Sequence, residues 1–264
     1  MTKWFLWVLP ALCLTSCVSF HLGNRMGLES TELGTQSRYE CTVKAAVELV
    51  IAEAFFPATY PAKPAQGQKP GNFDPNRFFT ILKHISMEPG YSLEYIYVID
   101  RDVGGYAMGG EPSLCALPTG EQATGNSSSG LKSSGVPSNV LEHLMTDGTP
   151  DSYFELAILH ILGNEFYIFW HALPGKDVVP IGGKNTLENL LTPLGIAWIR
   201  IFGPAVEPTV VLESDTVTVS LMTFSDWRGI ARRTFVFRRN FPHVLVVEKA
   251  KYLLCYNRYW GIRF

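Results

Sequence analysis

Two apolar segments, YFELAILHIL (153–162) and EFYIFWHAL (165–173), flank the dipeptide Gly163-Asn164. Gly-Asn suits the two-residue turn of a β-hairpin, so the pattern predicts two antiparallel strands that meet at this turn. Both faces of the predicted hairpin are apolar, which indicates an interior position in a sheet that helices cover on one side. We therefore expect this hairpin at the centre of an antiparallel sheet.

The rest of the chain predicts an α+β fold, with two N-terminal helices packed on a mainly antiparallel β-sheet. Segment 41–56 has apolar residues at helical spacing and is followed by a proline-rich stretch at 57–72. Asp74-Pro75 predicts an N-cap and the first residue of a second helix, 75–87. The later strands have period two, and the predicted strands are 91–100, 113–117, 195–202, 209–213, 216–224, 230–239, 248–256 and 260–264, with a short helix at 186–191.

The first residues have the three parts of a secretory signal. Lys3 supplies a positive start, an apolar run covers 4–12, and Leu14-Thr15-Ser16-Cys17 follows. The run is too short for a spanning helix, which needs roughly 20 apolar residues. Leu-Thr-Ser-Cys resembles the lipobox of bacterial lipoproteins, although an ordinary signal peptide with an incidental cysteine is the alternative.

The lipobox resemblance implies a signal peptide at 1–16 and a mature chain that starts at Cys17. Cys17 would then carry acyl chains, palmitate among them, which hold a protein at a membrane. Val18 is not the aspartate that often retains Gram-negative lipoproteins at the inner membrane, so the resemblance favours the outer membrane if the cell is Gram-negative. Residues 17–38 are predicted to be the lipidated cysteine and a flexible tether, followed by a single α+β domain at 39–264.

Composition limits the classes of partner. The 264-residue chain is 47% hydrophobic and 17% charged, which is typical of a globular protein, and its formal net charge is −2. A nucleic-acid partner would usually require a basic excess, so we expect none. Residues 118–139 are rich in Gly and Ser and predict a poorly ordered insert in the domain.

Three cysteines remain in the predicted domain, Cys41, Cys115 and Cys255. An exported protein permits a disulfide, but three cysteines allow at most one, and the sequence does not choose it. Apolar neighbours favour buried thiols. No spacing of Cys and His is typical of a zinc site, and we expect no metal and no cofactor.

Histidines give the first candidate binding site. In the predicted hairpin register His160 and His171 share a face but lie about 13 Å apart along the strands, too far to bind one metal ion. His160 is interpreted as a core or rim histidine. The segment FWHALPGKD leaves the strand at Pro174, so Trp170, His171 and Asp177 are predicted to lie near a loop where a ligand-binding pocket could form.

Arginines give the second candidate. The group consists of Arg228, Arg232 and Arg233, with Arg238 and Arg239 further along. One interpretation places them at the polar ends of an apolar strand, as is usual. The other has Arg228, Arg232 and Arg233 in contact with anionic headgroups of the membrane that holds the anchor.

No catalytic motif is present. The chain has no G-x-S-x-G, H-E-x-x-H or G-x-G-x-x-G, and its GGKNT at 182–186 lacks the spacing of a phosphate loop. Segments GYSLEYIYVID, FYIFWHAL and NFPHVLVV resemble parts of bacterial proteins of unknown function, which implies no activity. The leading hypothesis is therefore a membrane-anchored envelope lipoprotein with a binding or structural role. The alternative is a lipid-anchored hydrolase or other enzyme, with a site around His171 and Asp177 and with Asp147 or Asp151 in support.

Overall fold

The computed structural model describes residues 32–53, 69, 73–98, 111–119, 139–164, 178–190, 205–225 and 228–254. Their helices are α1 (Glu32–Glu53), α2 (Pro150–Asn164) and α3 (Lys184–Leu190), with 3₁₀ helices at Pro75–Thr80 and Val140–His143. The strands are β1 (Ile85–Met87), β2 (Tyr91–Val98), β3 (Glu111–Pro118), β4 (Leu144–Thr146), β5 (Val179–Ile181), β6 (Thr209–Leu212), β7 (Thr216–Ser225), β8 (Gly229–Arg238) and β9 (Leu245–Leu254).

The described strands form three antiparallel sheets, which confirms an α+β fold with antiparallel pairing. β1 pairs with β4, and β2 pairs with β3 over its whole length. The largest sheet has the order β5-β7-β8-β9, and β6 pairs with the same edge of β7 as β5 does. Long hairpins of period-two segments produce this sheet, because β7, β8 and β9 follow one another with short connections.

The predicted hairpin at Gly163-Asn164 is wrong. Its first half, 153–162, lies inside helix α2, and its second half, 165–173, lies outside the described residues. The sequence of this segment predicted a strand because α2 is apolar on nearly every side. Its residues from Ser152 to Leu159 and from Ile161 to Gly163 are all buried. A helix that is surrounded by protein has no polar stripe, and its sequence is then hard to distinguish from that of a buried strand.

Helix α2 is the centre of the core. It contacts strands from all three sheets, and it packs on the face of the large sheet that carries Val219, Leu221 and Phe235. Gly163 lies in its last turn, where a Cβ would come within 2.5 Å of the Leu114 side chain of β3. The glycine therefore serves close packing of a helix on a strand, and not the turn that the sequence predicted.

The N-terminal elements differ from the prediction in two ways. Helix α1 begins at Glu32, so the last part of the predicted tether, 32–38, is helical. Asp74 caps the second predicted helix by accepting a hydrogen bond from Asn76 N (2.9 Å), but the helix is a 3₁₀ helix that ends at Thr80. The segment 85–87 is strand β1 instead.

Most of the remaining strand predictions are confirmed, and the others lie outside the described residues. Those at 91–100, 113–117, 209–213, 216–224, 230–239 and 248–256 correspond to β2, β3, β6, β7, β8 and β9, and the short helix at 186–191 corresponds to α3. Those at 195–202 and 260–264 lie outside the described residues, as does most of the Gly/Ser-rich insert at 118–139. No helix in the described part of the chain is long and apolar enough to cross a membrane.

Candidate functional site: a recess lined by arginine

Arg232 and Arg233, which were predicted as one group, are consecutive residues of strand β8. Side chains of neighbouring strand residues point to opposite faces, so Arg232 and Arg233 lie on opposite faces of the large sheet. Arg233 shares the α2 face with Phe235 and is only 8% exposed. Arg232 lies on the other face, where its Nη2 donates to the carbonyl oxygen of Ala205. The arginines predicted as one group therefore belong to two surfaces.

Small residues leave a recess beside Arg233. In the β8–β9 pairing Ala231 lies opposite Tyr252, and Arg233 lies opposite Ala250. Gly229 begins β8 with a φ of 84°, a backbone conformation that favours glycine. Two alanines and a glycine cannot fill the space that larger side chains would occupy at these positions. A recess of about 60 Å³ results, large enough for one small polar group and far below the size of a drug-sized ligand site.

The lining of the recess is polar and basic. It consists of Val178, Thr223, Ser225, Arg228, Gly229, Ala231, Arg233, Ala250 and Tyr252. Three of these residues carry hydroxyl groups and two carry guanidinium groups, all of which donate hydrogen bonds. The recess therefore has the chemistry of a site for an anionic group.

Contacts with two described residues, Glu248 and Phe235, hold the Arg233 guanidinium in place. Its Nη2 donates to Oε1 of Glu248, and its Cζ lies 5.3 Å from the ring centroid of Phe235, within the range of a cation–π interaction. Glu248 is in turn oriented by His160, whose Nε2 donates to Oε2 at 3.3 Å. Asn164 Nδ2 donates to His160 Nδ1 at 3.4 Å, which is consistent with the proton on Nε2. Residues at the C-terminal end of α2 therefore fix the position of Glu248, and through it that of Arg233 at the recess.

Arg228 lies at the mouth of the recess. Its side chain is exposed, while its backbone N–H donates to Ser225 Oγ at 3.1 Å and closes the β7–β8 turn. Among the described residues, no carboxylate forms an ion pair with the Arg228 guanidinium. Two guanidinium groups therefore line the described part of the recess, and that of Arg233 contacts the Glu248 carboxylate.

Arg232 has a different environment. Burial lowers the pKa of its guanidinium, and the nearby Glu207 carboxylate acts in the opposite direction. Its contacts with residues 205–207 connect β8 to the segment that leads into β6. This arginine has a structural role on the face opposite the recess.

A second polar cluster lies at the N-terminus of α2. His84 Nδ1 donates to Asp147 Oδ2 at 2.7 Å, and this hydrogen bond raises the pKa of His84. Burial acts to raise the pKa of Asp147, but hydrogen bonds from Thr149, His84 and Ser152 outweigh it and lower the pKa to about 2. Glu155 is 4% exposed, and burial raises its pKa although it accepts a hydrogen bond from the backbone N–H of His84 at 2.7 Å.

Asp147 and Asp151, the two carboxylates of the hydrolase alternative, both have partners in this cluster. Asp147 also accepts hydrogen bonds from Thr149 N (2.9 Å) and Thr149 Oγ1 (2.5 Å) in the turn before α2. Asp151 accepts a hydrogen bond from Arg38 Nη2 at 2.6 Å. Tyr39 lies beside that pair, and burial followed by the charge of Asp151 raises its pKa to about 12. These contacts join α1, the β1–β4 region and α2.

Other predicted site residues lie outside the described part of the chain. They are Cys17, Trp170, His171 and Asp177. His160 is described and lies on helix α2, so it is not on the strand that the hairpin prediction assigned to it. Within the described ranges no group of three or more His, Cys, Asp or Glu side chains is arranged to hold a metal ion.

The two described cysteines have different environments, and Cys255 lies outside the described residues. Cys115 on β3 is buried, as its apolar neighbours predicted, and burial raises the pKa of its thiol to about 11. Cys41 on α1 is exposed, so its predicted burial is wrong. It lies on the outward side of a helix whose buried face includes Val43 and Ala46.

Comparison with known proteins adds no relative: the chain matches no family model, no curated protein and no solved structure. The site is therefore interpreted from its own geometry.

The sequence identified the arginines but not the other residues that form the recess with Arg228 and Arg233. Thr223, Ser225, Glu248 and Tyr252 were part of predicted strands and were given no role. One pattern was present in the sequence: Gly229 and Ala231 alternate with Ile230 and Arg232 at the start of β8, and the strand pairing places Ala250 of β9 on the same face as Ala231. Small side chains on one face of paired strands leave a hollow in the sheet surface.

Proposed function

We propose that this protein is a lipid-anchored component of the cell envelope whose α+β domain has a binding role. The observation that supports the anchor is the Leu14-Thr15-Ser16-Cys17 motif directly after a short apolar run. The structure adds a distance argument, because helix α1 begins at Glu32. A chain segment of the length of 18–31 spans at most about 50 Å when fully extended, so an anchor at Cys17 keeps the domain near the membrane surface.

The binding role is supported by the recess. An exported domain held at a membrane surface meets anionic groups, and Arg228 and Arg233 line a small hollow suited to one of them. Arg228, Arg232 and Arg233 were the three candidates for contact with anionic headgroups, and the proposal assigns this contact to Arg228. The exposed Arg228 is the best placed of the three for such contact, since Arg233 is buried and Arg232 is engaged with Ala205. The outer membrane is the proposed location in a Gram-negative cell.

Metabolic labelling with a clickable palmitate tests the anchor. Wild-type protein should take up label, start at Cys17 and partition with membranes. Cys17→Ala should remove the label and leave the signal uncleaved, since the thiol that accepts the diacylglyceryl group is absent. Leu14→Asp should impair processing, because it places a charge where the lipobox has an aliphatic side chain.

Cys13→Ala is the matched control, since Cys13 lies in the segment that processing removes. It should keep both label and cleavage. Unlabelled wild-type protein that is released in soluble form after cleavage at another residue would refute the anchor, and the chain would then be an ordinary secreted protein.

A hydrolase is the second candidate, and one observation favours it. The imidazole of His84 is fixed by Asp147 at 2.7 Å and its side chain is 39% exposed, which is the arrangement of a base with its orienting carboxylate. A panel of nitrophenyl carboxylate and phosphate esters tests this candidate with the full chain. Hydrolysis that falls at least about a hundredfold in His84→Gln or His171→Gln would support an enzyme. Hydrolysis that neither variant changes would remove both histidines from consideration.

A further inference from the structure

We infer that the recess beside Arg233 is a binding site for a single phosphate group, either inorganic phosphate or the phosphate monoester of a larger ligand. The inference specifies the binding role proposed above and rests on it. It does not rest on the lipid anchor, because every residue that lines the recess or holds Arg233 in place belongs to the folded domain, in β7, β8, β9, the turn between β7 and β8, α2 or the position directly before β5.

Donor geometry is the first argument. Phosphate offers several acceptor oxygens, and guanidinium groups bind it through short, charge-assisted hydrogen bonds. Arg233 forms one wall of the recess and Arg228 lies at its mouth, while Ser225 adds a hydroxyl group from the neighbouring strand. Thr223 also lines the recess, but its hydroxyl donates to the carbonyl oxygen of Ala231 at 3.5 Å. Donors therefore surround the space on more than one side.

Preorganisation is the second argument. Arg233 is 8% exposed, and its contacts with Glu248 and Phe235 limit the rotamers that its long side chain would otherwise sample. His160 fixes the other carboxylate oxygen of Glu248 from helix α2. A ligand that binds an arginine already held in place loses less side-chain entropy than one that must order it.

Size is the third argument. A volume of about 60 Å³ admits one small group and excludes a nucleobase or a sugar ring as a buried moiety. The part of any ligand beyond its phosphate must then extend past Arg228 and Tyr252 into solvent. The bound phosphate group can therefore come from a free phosphate ion or from the terminal phosphate of a lipid headgroup.

The test measures phosphate binding to the full chain in a neutral detergent by isothermal titration calorimetry, at low ionic strength. Two probes are used, inorganic phosphate and glycerol 3-phosphate. Binding of both indicates a site for phosphate monoesters, and binding of inorganic phosphate alone indicates the free ion as the source. If neither binds, the inference is wrong.

Three variants locate the site. Arg228→Gln should weaken binding by about tenfold, since it removes one charge-assisted hydrogen bond. Ala250→Leu leaves every charge in place but fills the recess, and it should weaken binding at least as much. Arg238→Gln removes a positive charge from the exposed far end of the same strand and should leave affinity within about twofold.

The pattern across the variants decides the result. If Arg238→Gln weakens binding as much as Arg228→Gln does, the protein attracts phosphate through its general charge, and the recess is not the site. If Ala250→Leu binds phosphate as the wild type does, the recess is also excluded. A thermal unfolding curve for each variant shows that it is folded.

Cys17→Ala separates this inference from the anchor. Phosphate binding by this variant should equal that of the wild type, because Cys17 contributes nothing to the recess. Loss of palmitate labelling with intact phosphate binding would support both proposals. Intact labelling without phosphate binding would overturn the recess site alone.

Discussion

The Glu40 side chain on α1 accepts a hydrogen bond from the backbone N–H of Thr186 in α3, with a distance of 2.7 Å between Thr186 N and Glu40 Oε1. The same carboxylate accepts from Thr186 Oγ1 at 3.1 Å and from Asn185 Nδ2 at 3.1 Å. A residue far away in the sequence therefore provides a cap for the first turn of α3. Capping carboxylates stabilise the start of a helix by satisfying N–H groups that have no partner within it.

Glu40→Ala should reduce the free energy of unfolding by about 1–2 kcal/mol, because it removes these three hydrogen bonds and leaves the α3 N–H group unsatisfied. Urea unfolding monitored by circular dichroism measures the change. Glu48→Ala is the control on the same helix. Glu48 is 64% exposed and lies 3.9 Å from Lys44, so its loss should cost less than about 0.5 kcal/mol. Equal effects of the two substitutions would contradict a specific role for Glu40.

Gly182, between β5 and α3, lies directly against the backbone of α1. A Cβ built on it would lie 2.6 Å from the backbone oxygen of Tyr39 and 2.7 Å from Cα of Glu40. Backbone atoms cannot move aside as a flexible side chain can. Gly182→Ala should therefore force α1 and the β5–α3 connection apart and destabilise the protein by about 1–3 kcal/mol.

The thermal midpoint measures the effect of Gly182→Ala. Gly90→Asn is a suitable comparison, because Gly90 has a φ of 89° but a Cβ at this position would meet no atom within 4 Å. Asparagine also tolerates this backbone conformation better than most other residues. We expect a smaller decrease for Gly90→Asn. A Gly182→Ala protein as stable as the wild type would show that α1 and the β5–α3 connection can separate at little cost.

Local periodicity explains which elements the sequence predicted. Buried residues recur at every second position in the first half of β7 and in most of β8, and hairpins join β7, β8 and β9 as neighbours in sequence. The α2 segment has no such contrast between buried and less buried positions, since neighbouring elements cover most of the helix surface. One local signal for the helix was present, because Thr149-Pro150-Asp151 has a capping residue before a proline at the first helical position. Thr149 Oγ1 accepts a hydrogen bond from Ser152 N at 3.3 Å.

Contacts between distant segments explain what the sequence could not predict. The pairing of Glu40 with Thr186, and that of His160 with Glu248, depend on how α1 and α2 pack on the sheets. No spacing in the sequence connects these residues. The arginines were visible as a group, but the separation of Arg232 from Arg233 required the strand and its two different faces. The sequence therefore predicted which residue types belong to the site, but it did not predict which of them lie together on one face of the sheet.

The two described cysteines should differ sharply in reactivity. Cys41 is exposed, whereas Cys115 is buried and burial raises the pKa of its thiol to about 11. At pH 8 iodoacetamide should modify Cys41 within minutes, because alkylation requires an accessible thiolate. Cys115 should react only after denaturation. Peptide mass mapping of native and denatured samples distinguishes the two sites, and Cys41→Ser serves as the control. Rapid native modification of Cys115 would contradict its burial.

The His84–Asp147 pair should make stability depend on pH in two ranges. The pKa of Asp147 is lowered to about 2 in the folded protein, so its contribution is present above the usual carboxyl pKa of 3.8 and is lost as pH falls towards 2. The pKa of His84 is raised above 6.5, so its contribution is complete below 6.5 and is lost as pH rises through the higher folded value. The pair therefore contributes most between about pH 4 and 6.5.

Asp147→Asn tests this dependence, since it removes the charge and keeps the size of the side chain. The two partners are 39% and 42% exposed, so solvent screening limits the net effect of the ion pair to less than about 1 kcal/mol. The difference in unfolding free energy between wild type and Asp147→Asn should be larger at about pH 5.5 than at about pH 8.5, because a larger fraction of His84 is charged at the lower pH. Glu155 and His243 also titrate, but they are present in both proteins and cancel in this difference to first order. Urea midpoints at the two pH values give the measurement. A difference that grows from the lower to the higher pH would show that the His84 charge opposes folding, contrary to the geometry of the pair.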